Sequence, residues 1–104
     1  MSARSRWWMR ALPVLAAHGL VPGPDGFDVA DLAAFAQERG WQSSTERTGH
    51  QGRGRRWRAT ILTRFAPAPG RNVALSGTHG HGDTEDEALA IALAAKIRQD
   101  ERLA

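Results

Sequence analysis

A chain of 104 residues, 41% hydrophobic and 24% charged, can build one modest core and therefore one domain, 1–104, which excludes most large enzyme folds. Cysteine is absent, ruling out a disulfide framework, a thiolate zinc site and a cysteine nucleophile, and a reducing cytoplasm is the expected setting. The net charge is only +3, yet seven arginines and no acid lie between Arg47 and Arg71, while four of the five residues from Asp83 to Glu87 are acidic. Such polarity suits a protein that meets a polyanion or an acidic partner on one side.

The first twenty residues join arginines to a short apolar run, but Arg10, Pro13 and His18 break it up. About seven apolar residues run together, far below the roughly 18 that span a bilayer, so no membrane role is expected. Residues 5–18 read as helical, with Trp8, Leu12 and Leu15 on one stripe. Pro13 would cost about 3 kcal/mol in a helix interior, so two short pieces meeting near Leu12, or a helix beginning there, are expected. Adjacent Trp7 and Trp8 cannot share one narrow stripe, which leaves one ring for a partner or a second copy of the chain. Residues 1–26 thus read as a helical arm with a turn-rich connector, GLVPGPDG, and 27–104 as the core.

Phe27 to Gly40 carries the clearest helix marks. Asp28 is the N-cap, Phe27 and Leu32 form a hydrophobic staple, and Gly40 is a fitting C′ residue. After Trp41 the pattern turns to strands. WQSSTERT reads as a polar edge strand, GHQGRG as a hairpin loop, and residues 56–65 as a second strand with Trp57, Ala59 and Ile61 inward. A proline-bearing turn leads to a third strand, RNVALSGT, with Val73 and Leu75 inward, and HGHG reads as the following loop. Thr84 and Glu87 form a capping box for a final alanine-rich helix, whose acidic start suits the helix dipole.

The expected class is α+β in the order α-α-β-β-β-α, a three-stranded antiparallel sheet with helices on one face. The other face would stay open, with Arg58, Thr60, Leu62 and Arg64 beside Ala74, Ser76 and Thr78.

From Thr48 to Ile97, TGHQGRGRRWRATI and GTHGHGDTEDEALAIALAAKI resemble a double-stranded-RNA-binding domain. The resemblance implies a minor-groove loop at His50 and its neighbouring glycines, and a phosphate clamp at the start of the last helix. Where that family has lysines this chain has Glu85, Asp86 and Glu87, and a further usual lysine falls on Leu89; acids repel phosphate. The W-x-A strand and the DT…AL…AL helix are also similar to small phage proteins described as an ABA sandwich.

His79, His81 and Asp83 form an H-x-H-x-D run similar to the metal motif of metallo-β-lactamase-type hydrolases. That motif continues with a histidine where Thr84 stands, and its fold needs distant ligands, for which only His18 and His50 remain. The run is therefore read as a turn capping a helix. No metal, cofactor or catalytic constellation is expected.

The basic hairpin is the leading candidate site. Arg53, Arg55, Arg56 and Arg58, helped by His50, Arg64 and Arg71, are expected to engage nucleic acid or a nucleoprotein complex, because guanidinium pairs bidentately with phosphate. The phage-like resemblance gives an alternative, an inhibitor of a host defence machine such as an anti-CRISPR protein, with Glu85, Asp86 and Glu87 imitating nucleic acid. A third expectation is self-association through Trp7 and Trp8 into a homodimer.

Overall fold

The computed structural model describes residues 6–50, 53–63 and 77–103. Its elements are α1 (Arg6–Ala16), α2 (Val29–Glu38), β1 (Trp41–His50), β2 (Arg53–Thr63), β3 (Gly77–Gly82) and α3 (Glu85–Leu103). The strands form one antiparallel sheet in the order β1-β2-β3, giving the expected α+β class and the order α-α-β-β-β-α.

α1 runs unbroken through Pro13, contrary to the expected break. Proline removes only its own N–H, which would have bonded the Met9 carbonyl, and Met9 and Pro13 are both exposed, so water can reach that end. The buried face of α1 is Trp8, Ala11 and Leu15, and Trp8 meets Phe27 edge-to-face with ring centroids 5.4 Å apart. α1 therefore shares the core of the following elements.

The connector closes on itself at Gly23 and Gly26, whose backbones exchange hydrogen bonds of 2.9 and 3.1 Å. Gly26 has φ +108°, and a Cβ there would press on the Asp86 carboxylate, so only glycine suits this position. The turn delivers Phe27 to the core. Its N–H donates to Asp86 Oδ2 at 3.0 Å. α2 starts where the sequence marks it, with Asp28 Oδ1 accepting from Ala30 N–H at 2.9 Å, and Gly40, φ +77°, follows its C-cap Arg39 as the C′ residue.

α3 is the central element. Residues 86–94 are all buried, with Leu89, Leu93 and Ile97 among the largest fully enclosed side chains. It is flanked by the sheet, α1 and α2, and a helix buried on several sides must be apolar nearly all round. Alanines 88, 90, 92 and 94 supply that character while keeping the helix thin.

This closeness explains the main departure from expectation. HGHG is not a loop but most of β3, because Gly80 and Gly82 lie where α3 touches the sheet. A Cβ on Gly80 would stand 2.6 Å from Ala92 N, and one on Gly82 would stand 2.8 Å from Glu87 Cβ. Glycine on the inward face with histidine outward is thus a strand pattern, period two, in which missing side chains face the helix. Thr78 also faces α3 instead of the open face, donating to the Ala92 carbonyl at 2.7 Å. A one-residue change of parity moves every side chain to the other face. The expected strand residues 71–76, with Val73 and Leu75, lie outside the described residues.

Candidate nucleic-acid interface

The β1–β2 hairpin is longer than expected. The register runs from Trp41↔Thr63 through Thr48↔Arg56 to His50↔Arg53, with a bulge between Thr48 and His50. Four of the six residues of GHQGRG, read as a loop, therefore lie in strands, with His50 paired to Arg53. A ladder of main-chain hydrogen bonds needs no side-chain burial, and period-two patterning is silent about it.

β3 reaches only as far as the pair Trp57↔Gly82. Beyond it, residues 48–50 and 53–56 pair only with each other among the described residues, so the hairpin continues as a two-stranded ribbon past the sheet. The backbone of Arg53, Arg55 and Arg56 lies in this ribbon, opposite His50 and Thr48. Arg64 and Arg71, also expected at the site, lie outside the described residues.

Arg47, which the motif reading left out of the site, is exposed and lies over the Trp57 ring with its guanidinium carbon 5.6 Å from the centroid. The pair Arg47↔Trp57 is directly cross-strand, and the signal for it was the hairpin register. Trp57 is half-buried at the edge of the core. Arg58 lies where β2 is paired on both sides. It faces the open side of the sheet and forms an ion pair with Glu46, its cross-strand partner, so its charge is already met inside the protein.

The open face carries two rows across all three strands: Glu46, Arg58 and His81, then Ser44, Thr60 and His79. Thr60 Oγ1 and His79 Nδ1 are 3.1 Å apart. His18 is held elsewhere, with Nδ1 3.1 Å from Arg39 Nη2 and its ring edge-on to Phe35. Among the described residues, no group of three His, Asp or Glu side chains is arranged to hold a metal ion.

The three acids at the start of α3 are not equivalent. Asp86 is buried and accepts from Phe27 N–H and, at 2.6 Å, from Thr84 Oγ1–H. Glu87 is buried, accepts from Asp83 N–H at 3.3 Å, and its own N–H donates to Thr84 Oγ1. Both carboxylates therefore fasten the helix start to the fold, and Glu85 alone stays half-exposed. The tryptophans divide as the helical stripe requires, with Trp8 5% exposed in the core and Trp7 61% exposed.

The single lysine, Lys96, is buried near Trp41 and donates to Gln99 Oε1 at 2.9 Å. Burial holds its ammonium below the ordinary lysine pKa, with Asp100 acting weakly in the other direction. It is a core residue and adds nothing to the basic ribbon. Comparison with protein-family models, curated proteins and solved structures finds no match.

Proposed function

We propose that this chain is a non-enzymatic binding protein whose β1–β2 ribbon grips the phosphate backbone of nucleic acid, free or within a nucleoprotein complex. The observation that carries the reading is the ribbon itself, which leaves the three-stranded sheet at Trp57↔Gly82 with Arg47 at its root and Arg53, Arg55 and Arg56 beyond, and without an acidic residue beyond Glu46. A two-stranded ribbon is narrow enough to enter the major groove of a DNA duplex, and arginine is the residue best suited to phosphate.

The resemblance to double-stranded-RNA-binding domains supports the reading only in part. Their second phosphate contact would fall on the start of α3, where Asp86 and Glu87 are engaged within the fold and no cation stands. The same engagement leaves little acidic surface for imitating nucleic acid, so inhibition of a protein machine through residues 85–87 is the weaker reading.

The test is a gel shift at low salt with duplex DNA, duplex RNA and single strands, using the chain and its Arg55→Glu/Arg56→Glu variant. Binding of at least one species by the natural chain, lost in the variant, supports the proposal. No shift with any of them rejects it.

A further inference from the structure

A second surface lies away from the ribbon tip. β3 is an edge strand, and no other described strand pairs with its outer side. Between that edge and α1 runs a groove of about 700 Å³, whose floor is the α3 stripe Ile91, Ala94 and Ala95. The walls are His79, Gly80 and His81 on one side and Trp7, Arg10 and Ala11 on the other. Toward Thr78 the groove continues into a recess of about 360 Å³ that shares Ala95 and Arg102.

The groove has a polarity along its length. α3 follows β3 and folds back along it, so Ile91 lies at Gly80, Ala95 lies beside Thr78, and Arg98 and Arg102 lie toward and past the Thr78 end. Arg10 stands on the opposite wall, linked to Arg98 by a 3.5 Å hydrogen bond from Arg98 Nη2 to the Arg10 carbonyl. No lining residue is acidic, and among the described residues none of these three arginines forms an ion pair with a carboxylate.

An open strand edge is a template for another strand, because its alternate N–H and C=O groups match those of an extended peptide. Alternate side chains of such a strand would meet the apolar floor, which a sugar-phosphate chain could not use. Arg98 and Arg102, which meet no carboxylate among the described residues, call for carboxylates at one end. Beside β3 an antiparallel strand would run from the apolar end to the basic end, so its apolar residues come first and its acids last. We propose that this groove binds an extended acidic segment of a partner protein as a fourth, antiparallel strand beside β3.

The test uses a fluorescent peptide of roughly eight residues, alternating valine and threonine and ending in glutamates, long enough to span the six residues of β3. Fluorescence anisotropy should report saturable binding that weakens about tenfold or more in Arg98→Glu/Arg102→Glu, a change at two exposed positions whose fold is checked by circular dichroism. Arg55→Glu/Arg56→Glu should leave peptide binding unchanged, which separates this site from the ribbon. The same peptide N-methylated at alternate residues should not bind, since it cannot donate to β3. Equal binding of the N-methylated form, or of a peptide with lysines for glutamates, would overturn the proposal. So would displacement of the peptide by a single-stranded oligonucleotide that itself loses binding in Arg98→Glu/Arg102→Glu, since the groove would then be a nucleic-acid site.

Discussion

Replacing Gly80 with alanine tests the contact on which the architecture depends. The added Cβ would meet the Ala88 carbonyl, stand 2.6 Å from Ala92 N and lie 3.1 Å from Ile91 Cβ, so it presses mainly on the helix backbone, which cannot rotate away. Overpacking of this kind costs about 1–3 kcal/mol, and moving α3 outward also stretches the 2.7 Å Thr78–Ala92 hydrogen bond, worth about 1 kcal/mol. Against this, alanine gains about 0.4–1 kcal/mol by restricting the unfolded chain. The net loss is about 1–3 kcal/mol, and for a domain of this size each kcal/mol lowers Tm by about 4–8 °C. Thermal unfolding followed by circular dichroism should therefore show Tm lower by roughly 5–20 °C. Gly77→Ala is the control: its nearest obstacle is the tip of the Leu62 side chain, so its loss should be clearly smaller. Equal Tm values for Gly80→Ala and the natural chain would refute the close seating of α3 on β3.

Three further outcomes follow from the same packing. Asp86→Ala strips the buried Phe27 N–H of its acceptor and should cost about 1–3 kcal/mol in urea unfolding, whereas Asp86→Asn, keeping an acceptor oxygen, should cost less. Trp8→Ala should destabilise by about 3–5 kcal/mol, while Trp7→Ala stays within about 0.5 kcal/mol; similar losses would contradict the division of the two rings. Lys96 gives a pH effect that is easy to isolate, because the chain has no tyrosine, no cysteine and no other lysine. Its pKa is lower folded than unfolded, so between those values the unfolded state binds more protons and stability rises with pH toward 10.5. Lys96→Met should lack that rise, and a parallel rise in both proteins would refute the assignment.

Much of the fold is legible in the sequence where one residue type has one local use. Asp28 and Thr84 mark helix starts because few side chains satisfy free backbone N–H groups, Gly40 marks a helix end because glycine adopts positive φ freely, and alternation from Trp57 to Ile61 gives the central strand. β3 was hidden because its inward residues are glycines, which leave no hydrophobic period; the reason for them, the nearness of α3, is a tertiary fact. Pro13 misled in the other direction, since the cost of a missing helix hydrogen bond depends on whether water can reach the bare carbonyl. At the candidate site the arginine-rich hairpin was visible, but the pairing of Arg58 with Glu46 and the stacking of Arg47 on Trp57 depend on register. The burial of Asp86 was likewise beyond reach, because its partner Phe27 is 59 positions away.

The most direct test of the binding ribbon is the slope of log K against log salt concentration for whichever nucleic acid binds in the gel shift. Four phosphate contacts, from Arg47, Arg53, Arg55 and Arg56, predict a slope of about −3.6 on duplex DNA. Neutralising two of them in Arg55→Gln/Arg56→Gln should bring it to about −1.8, while Arg58→Gln, whose charge Glu46 already meets, should leave it near the original value. A slope near zero, or one that changes as much with Arg58→Gln as with the double variant, would contradict the ribbon as the phosphate-binding element.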